Sequence, residues 1–157
     1  MTDIVDSITR SRMMSAIRGV NTRPEIRVRS LLHRQGFRFR LHVRNLYGRP
    51  DIVLPRYRVV IFIQGCFWHG HGCLLFKWPS TRPEFWHAKI EHNRENDRQA
   101  QETLRASGWR VAVVWECVMK GRLRLNDASL SDRLSEWIRD GSGYLELLAD
   151  PDKRSSS

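Results

Sequence analysis

The pattern of apolar and polar positions predicts a chain that alternates short strands with amphipathic helices. A helix is expected to begin at Asn21-Thr22-Arg23-Pro24-Glu25, where a capping side chain, a proline and an acid follow one another, and to stop at Gly36. Three strands are expected after it, at residues 37–41, 51–54 and 59–63. The third is apolar throughout, which is typical of a central strand covered on both faces.

Further elements are expected in the C-terminal half. A long helix is predicted from about residue 83 to residue 106, capped by Ser80 or Thr81, with Phe85, Ile90 and Leu104 among its apolar positions. A strand at 109–118 and an amphipathic helix at 130–139 complete the series. This order predicts the α/β class, with a central mixed β-sheet flanked by helices.

The length of the chain indicates one domain. Its 157 residues are enough to bury a sizeable core without disulfides. Residues 1–20 are polar and basic and are expected to form a short helix or an arm that orders on contact with its partner. Residues 21–149 are expected to form the folded domain, and the polar residues 150–157 a disordered tail.

Charge and cysteine usage indicate a partner and a compartment. The formal net charge is +10, and the planar guanidinium of arginine, the commonest basic residue, suits phosphate, so nucleic acid is the expected partner. No apolar segment approaches the length of a membrane span, and no amphipathic basic helix with a continuous apolar face favours a membrane partner. Three cysteines suit a reducing compartment better than a disulfide framework, and a cytoplasmic location follows by elimination.

Sulfur and imidazole side chains crowd the segment after the third strand. Cys66, His71 and Cys73 have a spacing that allows them to reach one ion, and tetrahedral zinc is the natural candidate. Cys117, at the end of the strand at 109–118, supplies a fourth ligand if the two strands lie side by side. A competing assignment places His69 on the metal and releases His71, and the spacing is compatible with both.

A second group of candidate residues combines an acid with a histidine. Asp51 opens the second strand, and a hairpin with the third strand places it near the end at which the Cys–His loop begins. Asp51 and His69 are therefore expected to converge at one edge of the sheet. A carboxylate is a hard ligand for Mg²⁺, and an imidazole can activate water, so the pair suits phosphodiester hydrolysis.

An aromatic group is the third candidate feature. Phe67 and Trp68 lie in the Cys–His loop, and Trp86 lies at the start of the long helix. Side chains of this kind can wedge into a base stack, and the cost of unstacking is least at a mispaired step. The alternative is a small hydrophobic core that supports the loop.

Together these residues resemble the very-short-patch-repair (Vsr) DNA mismatch endonucleases. The resemblance runs from about Thr9 to Trp137. Its marks are Thr9-Arg10-Ser11, Met14-x-Ala16-Ile17, Gly48-Arg49-Pro50-Asp51, Val60-Ile61-Phe62, Gly65-Cys66-Phe67-Trp68-His69, Thr81-Arg82-x-Glu84-Phe85-Trp86, Lys89-Ile90, Asn93, Asp97-Arg98, Gly108-Trp109-Arg110-Val111 and Val114-Trp115-Glu116-Cys117.

The resemblance implies a restriction-endonuclease-like core, a structural zinc and a catalytic Mg²⁺. The implied reaction is nicking of double-stranded DNA on the 5′ side of the thymine in T:G mispairs, which arise when 5-methylcytosine deaminates. A companion DNA cytosine methyltransferase and mismatch-repair proteins are the implied functional partners. Cutting one strand at an asymmetric mispair suits a monomer.

The resemblance also implies a role for individual residues. Asp51 and the backbone carbonyl of Ile63 would hold Mg²⁺, and His69 would act as the base or orient the water. Glu25 and Asp97 look like supporting polar residues around the water network. Phe67, Trp68 and Trp86 match the aromatic wedge that the family inserts beside the mispair. Met14 and Ile17 match the arm that contacts the minor groove.

The chain departs from the family pattern at a few positions. Many relatives have histidine where this chain has Gln64, which still hydrogen-bonds water or phosphate, so an altered metal or pH profile is expected. Relatives also carry histidines at the positions of Gly70 and Gly72, and their absence here favours His71 as the zinc ligand. The strand at 59–64 lacks the acid-x-lysine of restriction nucleases, which places more of the mechanism on His69.

Two other functions fit part of the sequence. A zinc-stabilised DNA-binding module without catalysis explains the charge, the aromatic residues and the cysteines, but it leaves Asp51 and His69 without a role. A restriction-type nuclease that cuts both strands of matched duplex uses the same residues on another substrate. Nicking assays with matched and mispaired duplexes separate these functions.

Overall fold

A five-stranded mixed sheet forms the centre of the described chain, which comprises residues 22–71 and 77–149 of the computed structural model. The elements in chain order are α1 (Arg23–Arg34), β1 (Arg40–Leu41), β2 (Ile52–Leu54), β3 (Val59–Gln64), α2 (Pro83–Ala106), β4 (Arg110–Trp115), α3 (Asp127–Asp140) and β5 (Tyr144–Leu147). Short 3-10 helices follow β2 at Pro55–Tyr57 and β4 at Glu116–Val118. The prediction of an α/β fold with a mixed sheet is confirmed.

The strands follow their chain order across the sheet, β1-β2-β3-β4-β5. β1, β2 and β3 are antiparallel neighbours, whereas β3, β4 and β5 run parallel, with α2 crossing over between β3 and β4. The register pairs Gln64 at the end of β3 with Trp115 at the end of β4. The two chain segments that leave these strands therefore begin side by side.

The sheet is covered on both faces, as the apolar sequence of β3 predicts. Val59 and Ile61 pack with residues of α1 and α3, whereas Val60 and Phe62 pack with Ala100 and Leu104 of α2. Successive side chains of a strand point to opposite faces, so a strand between two helical layers needs apolar residues at every position.

Polar side chains satisfy the backbone groups at two helix ends. Thr22 caps α1 in a capping box, in which its backbone N–H donates to Glu25 Oε2 at 2.9 Å. At the C-terminal end of α3, the Arg110 guanidinium donates to the carbonyls of Trp137, Ile138 and Gly141 at 2.7–2.8 Å. The Trp137 carbonyl also accepts from the Gly141 N–H at 2.9 Å, and the added bonds from Arg110 join β4 to the end of α3.

The structure corrects the predicted start of the long helix. Neither Ser80 nor Thr81 caps α2, because Pro83 begins the helix and Arg82, in a left-handed conformation (φ 52°), takes the cap position without a side-chain bond. Phe85 is 44% exposed, and the buried residues of α2 are Ile90, Ala100 and Leu104.

The strand predictions need correction as well. The first strand is limited to Arg40–Leu41, and the strand expected at 109–118 ends at Trp115, where a 3-10 helix begins. β5 was not predicted at all. Its sequence Tyr-Leu-Glu-Leu is short and mostly exposed on the edge of the sheet, and only its pairing with β4 makes it a strand.

Several sequence predictions fall outside the described residues. These are the arm at 1–20 with Met14 and Ile17, the ligand Cys73, and the tail at 150–157. Within the described ranges, none of the helices combines the length and the apolar character needed to cross a lipid bilayer.

Candidate active site

A cleft of about 1250 Å³ opens where β3 ends and α2 passes over the sheet. Asp51 and His69, which the hairpin argument places at one edge of the sheet, both line it. Polar, aromatic and basic side chains and one isoleucine also line the cleft. They include Ile63, Gln64, Phe67, Trp68, Trp86, Lys89, Asn93, Asp97 and Lys120.

Asp51 is held in place by the β2–β3 hairpin. Its backbone N–H donates to the carbonyl of Ile61 at 3.1 Å, which extends the antiparallel ladder by one residue beyond β2. Its carboxylate Oδ2 accepts from the backbone N–H of Ile63 at 2.7 Å. The carboxyl group is therefore fixed beside the backbone of Ile63, whose carbonyl the resemblance implies as a second metal ligand.

The carboxyl group of Asp51 lies in an environment that opposes its charge. Burial raises its pKa well above the usual 3.8, and the adjacent carboxyl of Glu25 raises it further. The Ile63 N–H and the Arg29 guanidinium act in the opposite direction but do not compensate. Two buried carboxyl groups at close range are a strong attractor for a cation.

Glu25 itself is fully buried in the first turn of α1. Its Oε2 accepts from the Thr22 N–H and lies 3.7 Å from Arg29 Nη2, whereas Oε1 has no hydrogen-bond partner among the described residues. Glu25, His42 and Asp51 each offer a ligand atom, and these atoms lie within 4.8 Å of one another. Carboxylate oxygens are the ligands that Mg²⁺ prefers, so the donor set fits a divalent cation.

His42 was missed by the sequence analysis. Its backbone N–H donates to the carbonyl of Asp51 at 3.5 Å, one step beyond the pairing of Leu41 with Ile52. An isolated histidine after a two-residue strand gives little signal by itself. Extending the β1–β2 ladder past Leu41 is the one inference that would have placed His42 opposite Asp51.

His69 is oriented by α2. Its Nδ1 and Asp97 Oδ2 form a short hydrogen bond. We assign the Nδ1 proton to this bond, because an ionised carboxylate only accepts, and the neutral ring then carries a lone pair on Nε2. The Trp115 ring meets the His69 ring edge to face, with centroids 6.0 Å apart. The imidazole thus has a fixed tautomer and orientation at the wall of the cleft.

The loop that carries His69 is a tight turn. The N–H of His69 donates to the carbonyl of Gly65 at 3.3 Å, and the N–H of His71 to that of Cys66 at 2.9 Å. Gly70 has φ +60°, and a Cβ added there would lie 2.5 Å from Cγ2 of Ile90. Glycine is therefore required at position 70 in this structure, because a side chain would meet both backbone strain and a clash with α2.

The same loop brings Cys66, His71 and Cys117 together. Their ligand atoms lie within 4.8 Å of one another, and Cys117 Sγ is 3.6 Å from His71 Nδ1. A hydrogen bond from Cys66 lowers the pKa of Cys117 from 9.0 to about 4, and His71 and the backbone N–H of Ala149 assist. A thiolate beside a second thiol and an imidazole is the donor set of a soft or borderline cation such as zinc.

His71, rather than His69, lies in the thiol cluster. Its ring stacks on Trp115 with centroids 4.1 Å apart and an interplanar angle of 7°, whereas His69 faces Asp97. The two histidines of the loop therefore point into different clusters. Of the two zinc assignments left open by the spacing, this geometry favours the one with His71.

The aromatic residues form a cluster at the mouth of the cleft. The Phe67 ring meets those of Trp68 and Trp86 edge to face, at 5.2 and 5.3 Å between centroids. Trp68 is 42% exposed, and Asn93 of α2 donates to its backbone carbonyl at 2.8 Å. The rings support one another, yet they remain open to solvent on one side.

Gln64 is buried at the end of β3 and lines the cleft. The structure thus places these predicted residues around one cleft: Asp51, Ile63, Gln64, His69, Asp97 and the three aromatic residues. Glu25 does not line the cleft but lies behind Asp51, with their ligand atoms within 4.8 Å. Lys89 and Lys120 add positive charge to its wall.

Comparison with known proteins shows the family. The family model described as DNA mismatch endonuclease Vsr matches residues 2–75. The chain is 51% identical over 138 residues to the DNA mismatch endonuclease Vsr of Escherichia coli strain K12, which covers 88% of each chain. The chain belongs to the Vsr family of DNA mismatch endonucleases. It is therefore a hydrolase, a strand-nicking DNA endonuclease, and the non-catalytic binding module is excluded.

Two type II nicking enzymes are also similar to this chain over most of their length. The type II nicking enzyme V.XorIIP of Xanthomonas oryzae pv. oryzae is 53% identical over 117 residues, or 74% of this chain and 86% of the relative. The type II nicking enzyme V.NmeAIP of Neisseria meningitidis is 41% identical over 140 residues, or 89% and 96%. The likeness to these relatives thus covers most of this chain.

Proposed function

We propose that this Vsr-family endonuclease nicks duplex DNA on the 5′ side of the thymine in T:G mispairs left by deamination of 5-methylcytosine, in a Mg²⁺-dependent hydrolysis. The observation that carries the proposal is that Asp51 and the His69–Asp97 pair line one cleft. The printed name of the E. coli relative, a mismatch endonuclease, supports the choice of a mispaired substrate.

Asp51 and the backbone carbonyl of Ile63 would hold Mg²⁺. When bound, the ion supplies positive charge to the scissile phosphate and to the leaving oxygen. The raised pKa of Asp51 means that the folded protein accommodates the ionised carboxylate poorly without a cation, and Glu25 adds to this need. Glu25 also fits a supporting role, with its buried Oε1 available for a metal-bound water or for the ion.

His69 would act as the general base. With its Nδ1 proton directed at Asp97, its Nε2 can accept a proton from water while the water oxygen bonds to phosphorus and a backbone P–O bond breaks. The Asp97 carboxylate would stabilise the imidazolium that forms. The same hydrogen bond would let Asp97 orient the imidazole ring, and the ring would then define the direction from which the water approaches phosphorus. Buried Gln64 would hydrogen-bond this water or a phosphate oxygen.

Zinc would be a structural ion, held by Cys66, His71, Cys73 and Cys117. The close approach of three of these side chains supports the assignment, and Cys73 follows in the same loop. Such an ion would join the loop after β3 to the segment after β4 and so hold His69 at the cleft. The mixed sheet, with Asp51 at the start of the β2–β3 hairpin, supports the proposal of a restriction-endonuclease-like core.

Phe67, Trp68 and Trp86 would wedge into the duplex at the mispair. Their clustering at the open side of the cleft supports this role, since stacking on bases offsets part of the unstacking cost of a few kcal/mol. Met14 and Ile17 of the arm at residues 1–20 would contact the minor groove. Residues 21–149 would form the catalytic domain, and residues 150–157 a tail.

The proposed biological setting follows from the substrate. A protein that repairs deaminated 5-methylcytosine depends on a DNA cytosine methyltransferase to create its sites, and mismatch-repair proteins are further candidate partners. A monomer suits an asymmetric mispair. A cytoplasmic location is part of the same proposal.

A strand-resolved nicking assay tests the proposed function. Duplexes that differ only by T:G or C:G at one position carry a different label on each strand and are incubated with zinc-loaded protein, with and without Mg²⁺. The expected result is one cut, in the thymine strand of the T:G duplex, only with Mg²⁺. Equal cutting of both strands in matched duplex would instead establish the restriction-type alternative.

A further inference from the structure

His42 presents a nitrogen ligand to the acidic end of the cleft, and the proposed chemistry gives it no role. The ring nitrogen Nε2 lies 3.6 Å from Oε1 of Glu25. His42, Glu25 and Asp51 place their ligand atoms within 4.8 Å of one another, although they come from three separate segments of the chain. One nitrogen and two carboxylate groups at this separation form a mixed donor set.

The hydrogen bonding of His42 indicates which form of the ring faces the cluster. Nη2 of Arg29 lies 3.3 Å from Nε2 of His42. A guanidinium group only donates, so Nε2 accepts this bond and carries a lone pair. An unprotonated ring nitrogen is the form that ligates a metal, and a bound ion would take the Nε2 lone pair in place of the hydrogen bond from Arg29.

Glu25 supplies an independent sign that a ligand belongs in the cluster. The residue is 0% exposed, and its Oε1 has no hydrogen-bond partner among the described residues. Leaving a buried carboxylate oxygen unpaired is costly, and native structures avoid it unless an ion or water satisfies the group. The orphaned oxygen is the one that lies nearest to the His42 ring nitrogen.

The charges around the cluster leave room for a cation. Glu25 and Asp51 bring two carboxyl groups, and Arg29, which lies 3.7 Å from Glu25 Oε2, brings one positive charge. A divalent ion would satisfy Oε1 of Glu25, which Arg29 leaves without a partner. The donor set also bears on which ion fits, because imidazole favours transition metals, whereas Mg²⁺ prefers oxygen ligands and water.

We propose that Glu25, His42 and Asp51 form a divalent-metal site with a nitrogen ligand, which accepts a transition-metal ion such as Mn²⁺ as well as Mg²⁺. The site deepens the proposed function, on which it rests for the presence of a divalent ion at Asp51. His42 is thus a nitrogen ligand for the divalent ion that this endonuclease holds at Asp51.

The test is Mn²⁺ binding to DNA-free, zinc-loaded full-length protein, with electron paramagnetic resonance as the readout. Loss of the free-ion signal measures affinity, and pulsed spectra report a ¹⁴N nucleus bonded directly to manganese. The wild-type protein is expected to show that nitrogen coupling. His42→Ala is expected to lose it and to bind Mn²⁺ at least about tenfold more weakly, as loss of a metal-site residue commonly does.

Two further variants make the result specific. His33→Ala removes an exposed histidine from the last turn of α1 and is expected to leave Mn²⁺ affinity and the nitrogen coupling as in the wild type. His42→Gln replaces the nitrogen by an amide oxygen and is expected to retain part of the affinity without the coupling. Circular dichroism of each variant shows that the fold is retained, and His42→Gln carries the test if His42→Ala does not fold.

Several outcomes would overturn the site. Nitrogen coupling that persists in His42→Ala, or Mn²⁺ bound to wild type without any coupling, removes His42 as a ligand. If no Mn²⁺ binds, the positive charge of the cluster comes from Arg29 alone, and the proposed metal site is wrong. Because the readout uses no DNA, it can fail while the T:G nicking assay succeeds, so the failure of this proposal and that of the proposed function are distinguishable.

Discussion

The protein has two ligand clusters among its described residues, and neighbouring groups shift the pKa of one member of each cluster in opposite directions. In the thiol cluster of Cys66, His71 and Cys117, hydrogen bonds lower the pKa of Cys117 to about 4, so an anion is already stabilised by its neighbours. In the acidic cluster of Glu25, His42 and Asp51, burial and the facing carboxyl group raise the pKa of Asp51.

The two clusters differ in how strongly each depends on a bound cation. The thiol cluster is partly satisfied by its own donors, which include the backbone N–H of Ala149 at 3.3 Å from Cys117 Sγ. The acidic cluster leaves Glu25 Oε1 without a partner among the described residues, so its ionised form is stable only with added positive charge. One cluster is suited to permanent structure, and the other to an ion that arrives for catalysis.

The largest expected effect is at Asp51. Asp51→Asn keeps the shape of the side chain and its bond from the Ile63 N–H but removes the ligand charge. The rate of T:G nicking is expected to fall by roughly a thousandfold or more, since a metal contributes several kcal/mol to such reactions. The strand-resolved nicking assay measures it, with the exposed Asp132→Asn of α3 as the matched control. Cleavage at the wild-type rate would remove Asp51 from the mechanism.

His69 is expected to show the next largest effect. His69→Ala removes the proposed base, which typically contributes about 10²–10⁴-fold to the rate, and Asp97→Asn is expected to lose less because the imidazole remains. Single-turnover rates are measured together with zinc content, which should stay at the wild-type value. Zinc loss in His69→Ala would make His69 a ligand of the thiol cluster, and His92→Ala on the exposed face of α2 is the control.

Cys117 distinguishes the structural cluster from the catalytic one. Cys117→Ser replaces a thiolate ligand by a weak one, so zinc content is expected to fall, with a loss of at least about 2 kcal/mol of stability, or roughly 4–8 °C in Tm. Zinc analysis and thermal unfolding measure the two effects. Asp51→Asn is the comparison variant and should keep its zinc; zinc loss there would mean that the clusters are not separate.

The smallest expected effect is the pH dependence of stability in chelator-treated protein. For Asp51 the folded state retains a proton that the unfolded chain loses, so stability falls as pH rises from 3.8 through the raised folded pKa. For Cys117 the folded state favours the anion, so its contribution is present above 9.0 and is lost as pH falls towards about 4. The two contributions have opposite signs.

Urea unfolding of two variants at about pH 5 and about pH 8 separates these contributions. Relative to wild type, Asp51→Asn is expected to gain stability on going to the higher pH, and Cys117→Ser is expected to lose it. Parallel changes in both variants would contradict the opposite shifts. Added Mg²⁺ is expected to weaken the Asp51 effect, because bound ion stabilises the ionised carboxylate.

Hydrophobic periodicity and local chemistry were enough to predict several helices and strands and one ligand cluster from the sequence alone. The capping signals around Pro24 predicted α1, the all-apolar run predicted β3 as a central strand, and helical spacing predicted α2 over the range that it occupies. These features depend on residues close in the chain, where hydrophobic patterning and backbone preferences act directly. The spacing of Cys66 and His71 likewise predicted a ligand cluster that the structure brings together.

Only the tertiary structure decided the rest. β5 exists because β4 offers it a partner, and Phe85 is exposed because α2 turns another face to the sheet. His42 meets Glu25 and Asp51 only after α1 and the β1–β2 ladder converge, so its role depends on contacts between segments distant in the chain. A local pattern specifies which residues form an element, whereas the packing of elements determines which side chains share a site.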